Sequence, residues 1–169
     1  TQKIDGSLDH FYLQTNDQKA DSSVAVPTNS VFSVSATYST NNKNFIAYLW
    51  TEIPGFSKFG CYEATGVDEG PFIYCGFRPA LIWIKATNVN GQGTYIFSES
   101  QDESYNVRDN RMRWNSDEDS GAYAGNKHDM LSNGFKIREN YVETNATTAN
   151  SKYIYCAWAE HPFKTGRAH

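Results

Sequence analysis

The chain has 169 residues, a net charge of −4 and 15% aromatic side chains, with 11 Tyr and 10 Phe against two Met. That length allows one domain or one and a half with a real core. No segment is rich in Lys and Arg, which removes the electrostatic footprint of a nucleic-acid binder. The longest apolar run, residues 80–84, is far short of a bilayer span, so no membrane insertion is expected. Residues 1–20 lack an apolar signal core, and Thr1 in place of Met suggests processing or a piece of something longer.

In chain order, the aromatic and β-branched stretches predict short strands at 11–15, 31–36, 44–52, 57–63, 71–76, 80–87, 94–99, 134–138 and 153–160. Polar turns separate them, and no amphipathic helix stands out. This is the signature of an all-β protein, an antiparallel β-sandwich. The segment Asn88-Val89-Asn90-Gly91-Gln92-Gly93 tolerates positive φ and predicts a hairpin between 80–87 and 94–99. Pro79 breaks the run before it, since proline cannot donate to a central ladder. Within 80–87, period two sends Leu81, Trp83 and Lys85 to one face and Ile82, Ile84 and Ala86 to the other. Residues 100–129 and 140–152 carry no strand signal and read as long loops, a class usually functional or mobile.

One strand is written twice. Residues 45–54 and 153–162 both read aromatic-Ile-x-x-x-Trp-x-Glu-x-Pro, with Ile46/Ile154, Trp50/Trp158, Glu52/Glu160 and Pro54/Pro162 at a constant offset of 108. A period of that length points to a repeated module whose copies end on the same strand. Ile, Trp and Glu share a face in both copies. Either Trp covers the sandwich edge with Glu as a solvated cap, or a sugar stacks on Trp while Glu binds its hydroxyls. Residues 1–55 either supply strands of a preceding module or complete the sandwich of 56–169.

Four separated motifs resemble a module of tailed-bacteriophage tail-fibre and tail-spike proteins, frequent in marine and cyanobacterial phages. They are Gly55-Phe-Ser-Lys-Phe-Gly-Cys-Tyr62, Glu69-Gly-Pro-Phe-Ile-Tyr-Cys-Gly-Phe-Arg-Pro-Ala80, Leu131-Ser-Asn-Gly-Phe-Lys-Ile-Arg138 and Tyr153-Ile-Tyr-Cys-Ala-Trp-Ala-Glu-His-Pro-Phe-Lys164. The resemblance implies a concanavalin A-like or jelly-roll sandwich and a place in the virion tail, made in the bacterial host cytoplasm. It supplies no ligand residues. Relatives tend to carry Asp-Ser-x-Arg-Asp-x-Tyr-Asn after the hairpin. Here Glu99-Ser100-Gln101-Asp102-Glu103-Ser104-Tyr105-Asn106 stands instead, and Asp102 replaces the Arg.

Catalysis finds little support in these residues. Glycoside hydrolysis needs two carboxylates flanking the scissile bond, and Glu99 and Asp102 are three apart, on opposite sides of any strand. No Gly-x-Ser-x-Gly is present. Cys61, Cys75 and Cys156 cannot all pair, lack a CxxC spacing and, with four scattered His, make no zinc pattern. They read as reduced, mostly buried thiols. Asp117-Glu118-Asp119 lacks a calcium-loop spacing and reads as solvated acid. His128-Asp129 reads as a turn, and the sequon Asn145-Ala146-Thr147 carries little weight. No cofactor or metal is expected.

Sugar binding needs only an exposed aromatic platform beside planar polar groups. The 105–115 segment offers Tyr105, Arg108, Asp109, Asn110, Arg111, Arg113, Trp114 and Asn115. The alternative for this segment is a Trp114 tucked into the sandwich, with its arginines solvated or bridging to a neighbouring chain. The functional expectation is a non-catalytic, trimeric attachment module that meets a host-surface glycan or envelope component and other virion tail proteins. Its rival is a purely structural spacer, joint or capsid decoration.

Overall fold

In a computed structural model, residues 4–36, 43–89, 94–98, 105–114, 116–117, 121–122, 127–148 and 150–162 are described. Eleven strands follow one another: β1 (Asp9–His10), β2 (Ala20–Asp21), β3 (Ser57–Glu63), β4 (Phe72–Tyr74), β5 (Pro79–Ala86), β6 (Thr94–Ser98), β7 (Asn110–Arg113), β8 (Gly121–Ala122), β9 (His128–Leu131), β10 (Gly134–Ile137) and β11 (Lys152–Ala159). Among the described residues there is no helix. The strands form a six-stranded sheet, β3-β11-β5-β6-β7-β8, a three-stranded sheet, β4-β10-β9, and the small pair β1-β2. Every pairing is antiparallel.

The core is the space between the two larger sheets. Ile82, Ile84, Tyr95, Phe97, Tyr153, Tyr155 and Ala157 of the six-stranded sheet meet Ile73, Met130, Phe135 and Ile137 of the three-stranded one in a single buried cluster. The Phe135 ring stands edge-on to Tyr155, with centroids 5.5 Å apart. This is the β-sandwich that the alternating sequence implies. The faces of β5 divide as its period requires. Ile82, Ile84 and Ala86 are buried in the core cluster, while Trp83 opposes Ile96 and Cys156 on the outer face. Pro79 is tolerated as the first residue of β5, a position where a strand proline costs no ladder bond.

Six of the predicted strands are found, at 57–63, 71–76, 80–87, 94–99, 134–138 and 153–160, with ends moved by a few residues. Three are not. Residues 11–15 run as a covering segment over one end of the six-stranded sheet. There the Leu13 carbonyl accepts from Thr94 Oγ1 at 3.1 Å, and the Thr15 carbonyl accepts from Lys85 Nζ at 2.9 Å. That cover buries Lys85 on the outer face, and desolvation pulls its ammonium pKa down. Residues 31–36 and 44–52 belong to no strand ladder; the second stretch is tied to β3 by the Ile53–Ser57 bridge, by Ser57 Oγ donating to the Thr51 carbonyl at 2.7 Å and by the Glu52–Lys58 ion pair.

The segment read as a strandless loop, 100–129, holds β7, β8 and the start of β9. Its alternation was hidden because the inward positions are polar. Arg111 of β7 is buried. His128 of β9, read as part of a turn, is a buried strand residue with its ring 4.4 Å from that of Phe97. The second long loop is a plug. Glu143, Thr144, Asn145 and Ala146 are buried beneath the inner face. Tyr62 donates to the Thr144 carbonyl at 2.8 Å and Tyr153 to that of Val142 at 2.7 Å. Of the three thiols, Cys75 is buried, Cys156 half-buried and Cys61 exposed; no disulfide joins them.

Candidate functional site

The outer face of the six-stranded sheet carries an aromatic platform. Trp83 of β5 and Trp158 of β11 lie on neighbouring strands, with ring centroids 4.9 Å apart at 65°. Trp114, just past β7, meets Trp83 at 4.9 Å and 63°. Phe59 of β3 meets Trp158 at 5.8 Å. Trp50, from the extended segment, reaches over to Trp83 at 5.8 Å and Trp158 at 6.1 Å. Tyr48 stacks on Trp50 at 6.3 Å. All four tryptophans of the chain therefore belong to one surface. Period two explains why: the same alternation that turns Ile82, Ile84, Tyr155 and Ala157 inward turns Trp83 and Trp158 outward. Edge-to-face geometry is what the ring quadrupoles favour, and each such pair adds about 0.5–1.5 kcal/mol beyond burial.

The predicted site splits in two. Trp114 is 44% exposed and Tyr105 is 84% exposed, so both present ring surface to solvent. The Asn106 amide holds this stretch in place by donating to the Met130 carbonyl at 3.0 Å and accepting from the Met130 amide at 3.1 Å. Arg108 and Arg111 are buried and cannot touch a ligand from solution, which corrects the expectation for both. Arg108 exchanges backbone hydrogen bonds with His128, each 2.9 Å. Arg111 and Arg113 face inward and share the buried Glu143 carboxylate; Arg113 Nη2 donates to Oε1 at 2.8 Å and Arg111 Nη1 to Oε2. Both guanidinium groups lie near the Tyr95 ring, 4.8 and 5.4 Å from its centroid. Burial, then the hydrogen bond to Glu143, raises the Tyr95 hydroxyl pKa. Asp109 and Asn110 are half-buried. Asn115 lies outside the described residues.

Trp83 was not among the predicted ligand residues, and Trp50 and Trp158 entered only as the alternative in which a sugar stacks on the repeated Trp; the outward position of Trp83 was legible from its neighbours Ile82 and Ile84. The two repeated glutamates are engaged by cations: Glu52 with Lys58 at 3.0 Å, and Glu160 with Arg78 at 3.0 Å. Glu52 and Lys58 also line a cleft of about 720 Å3 with Pro54, Gly55, Ser57, Tyr74, Cys75 and Gly76. Near β1 and β2, the carboxylates of Asp5, Asp9 and Asp21 lie within 4.8 Å of one another. The Lys19 ammonium sits among them at 2.7, 2.8 and 3.0 Å and takes the place a cation would fill. Of the acidic run at 117–119, Glu118 and Asp119 lie outside the described residues. Among the described residues no helix is long and apolar enough to cross a membrane.

Residues 3–162 match the family described as Domain of unknown function (DUF7483), and the chain belongs to that family. No curated protein and no solved structure matches it.

Proposed function

We propose that the chain is a non-catalytic attachment module of a phage tail-fibre protein, and that its outer tryptophan face stacks on a glycan or envelope component of the host surface. The observation that carries this reading is the cluster itself: four tryptophans gathered on the solvent side of a sheet, with Trp114 and Trp50 still about half exposed. A sandwich gains little from placing its largest apolar side chains outside its core, whereas sugar rings stack on such surfaces. Tyr105, exposed earlier on the same segment, offers a further ring to solvent. The tail-fibre context rests on the motif resemblance. A trimeric fibre would make weak single-site binding useful by multivalency. The engagement of Glu52 and Glu160 by Lys58 and Arg78 favours binding over acid–base chemistry.

The test is binding of the native oligomer to intact host cells and purified surface polysaccharide, wild type beside Trp114→Ala and Tyr105→Ala. Loss of at least about tenfold in affinity with a folded Trp114→Ala variant is expected, the loss of one stacked ring. Absence of wild-type binding would leave the structural-module reading, which the repeated strand at 45–54 favours independently.

A further inference from the structure

We propose that residues 31–34 and 44–52 are the closing pair of strands of a second sandwich of this same build, and that the sheet they complete belongs to another copy of the module. The segment 45–52 matches residues 153–160 at its aromatic, Ile, Trp and Glu positions, and β11 is an inner strand of the large sheet, bonded to β3 on one side and β5 on the other. A shorter correspondence precedes it. Val31-Phe32-Ser33-Val34 matches Gly134-Phe135-Lys136-Ile137 of β10 in its two apolar positions and in its order ahead of the repeated strand.

Burial separates the two copies. Tyr153, Ala157, Phe135 and Ile137 are core residues with at most 1% exposure, whereas their counterparts Phe45 and Leu49 are 61% and 72% exposed, and Phe32 and Val34 are exposed as well. The other face is also apolar, with Ile46, Tyr48 and Trp50 in the places of Ile154, Cys156 and Trp158. A strand apolar on both faces is built for the middle of a sheet. Left at the surface, such a segment is an association hazard. In this chain the place between β3 and β5 is already taken by β11, so the segment has no vacancy to fill here and fits the corresponding place in a second sandwich. Only Pro54, Gly55 and Phe56 then separate the end of one sandwich from β3 of the next. The turn is made by Gly55 at φ 76° and by the Ile53–Ser57 bridge. Trp50 would sit at this joint and touch Trp83 and Trp158 of the following module.

Hydrogen exchange on the dilute intact chain tests the first half. Amides of 44–52 should exchange as freely as an unpaired segment, while those of β11 are protected. Strong protection of 44–52 in the monomer would overturn the proposal, because the segment would then be completing its own sandwich. The second half is tested by an extended chain with a copy of residues 54–130 placed ahead of residues 28–162. Amides at 44–52 should then slow on the order of 10³-fold, towards the protection of β11. Leu49→Asp should unfold the added sandwich alone, while Ile46→Thr on the other face should not. Unchanged exchange at 44–52 in the extended chain, or an equal response to both substitutions, would overturn it.

Discussion

Trp50 and Trp158 occupy the same place in two copies of one sequence motif, and their rings lie 6.1 Å apart at 71°. One is anchored on β11, between β3 and β5; the other arrives from a segment outside any strand. The contact means that the aromatic face is assembled from both copies of the motif. Whatever covers or orders residues 44–52 therefore also sets how much of the Trp83–Trp114–Trp158 surface is available to a ligand.

Two of the tryptophans on that surface, Trp83 and Trp114, should separate stability from recognition. Trp83 touches Trp50, Trp114 and Trp158. Trp83→Ala should cost about 2–3 kcal/mol, below the value for a fully buried Trp because its face is half open. Trp114→Ala should cost under about 1 kcal/mol, as other half-exposed surface changes do. Urea unfolding followed by far-ultraviolet circular dichroism measures both. Equal costs would mean that Trp114 is a structural anchor and not a platform.

Glu143 should be among the most sensitive positions in the fold. It is the shared partner of Arg111 and Arg113, and Arg111 is buried with it. Glu143→Gln removes the compensating charge while both guanidinium groups stay in place. Breaking one partner of a buried ion pair costs about 3–5 kcal/mol, enough to unfold a marginal domain. The midpoint of chemical denaturation reports it, and a change below about 1 kcal/mol would show that solvent reaches the site.

This network also explains which parts of the molecule could be read in advance. The hairpin of β5 and β6, the faces of β5 and the strands at β3, β10 and β11 follow from plain alternation of apolar and polar residues. β7 and β9 do not, because Arg111 and His128 point inward and only the fold supplies the Glu143 carboxylate and the Phe97 ring they meet. The stretches at 31–36 and 44–52 fail in the opposite sense. Their pattern is that of good strands, but strand propensity cannot say whether this sheet has a place for them. The candidate site was half legible: Trp114 and Tyr105 are exposed, but Arg108 and Arg111 read as surface side chains for the same reason that β7 was missed. Trp83 and Trp158 were placed on their faces correctly, yet their meeting depends on β5 and β11 being neighbours, a long-range pairing that local periodicity does not contain.

The thiols should react in a set order. Burial pushes Cys75 up to about 12 and Cys156 up to about 11, so neither holds much thiolate near neutral pH. Cys61 lies exposed on β3. Titration of the folded chain with a thiol reagent at pH 8 should modify one group quickly and the other two only after denaturant is added. Three fast thiols would contradict the packing of β11 against β3 and β5.

The β1-β2 hairpin is held by a charge latch with a definite pH window. The hydrogen bond and charge of Lys19 depress the carboxyl pKa of Asp21 below its ordinary 3.8, and Lys19 and Ser7 do the same for Asp5. Such groups contribute stability above their ordinary value and lose it as pH falls through the depressed one. Lys19 is shifted the other way, above 10.5, chiefly by its bond to Asp5. Its contribution is present below 10.5 and lost as pH rises through the raised value. The hairpin should therefore loosen below about pH 3.8 and again above about pH 10.5, with no change between. The amide resonances of Ser22, bonded to the Leu8 carbonyl at 2.7 Å, and Lys19, bonded to that of Thr87 at 2.8 Å, report it. Movement of both near neutral pH would rule the latch out.

Asn145 should behave as a clamp and not as a glycan acceptor, although it heads a sequon. It is fully buried. Its Oδ1 accepts from the amides of Thr65 at 2.8 Å and Gly66 at 3.1 Å, and its Nδ2 donates to the carbonyls of Val67 at 2.8 Å and Glu139 at 3.1 Å. One side chain thus satisfies four backbone groups, fixing the 64–67 turn to the 139–146 plug. Asn145→Ala leaves those groups unpaired in a place with little room for water, at a cost of about 3 kcal/mol. Asn145→Asp keeps the two acceptor bonds but sets a carboxylate against two carbonyls, so it should be at least as harmful. Thr147→Ala destroys the sequon without touching the clamp and should leave the unfolding midpoint nearly unchanged. A chain in which Asn145→Ala and Thr147→Ala unfold at the same denaturant concentration would show that the plug is not held as described.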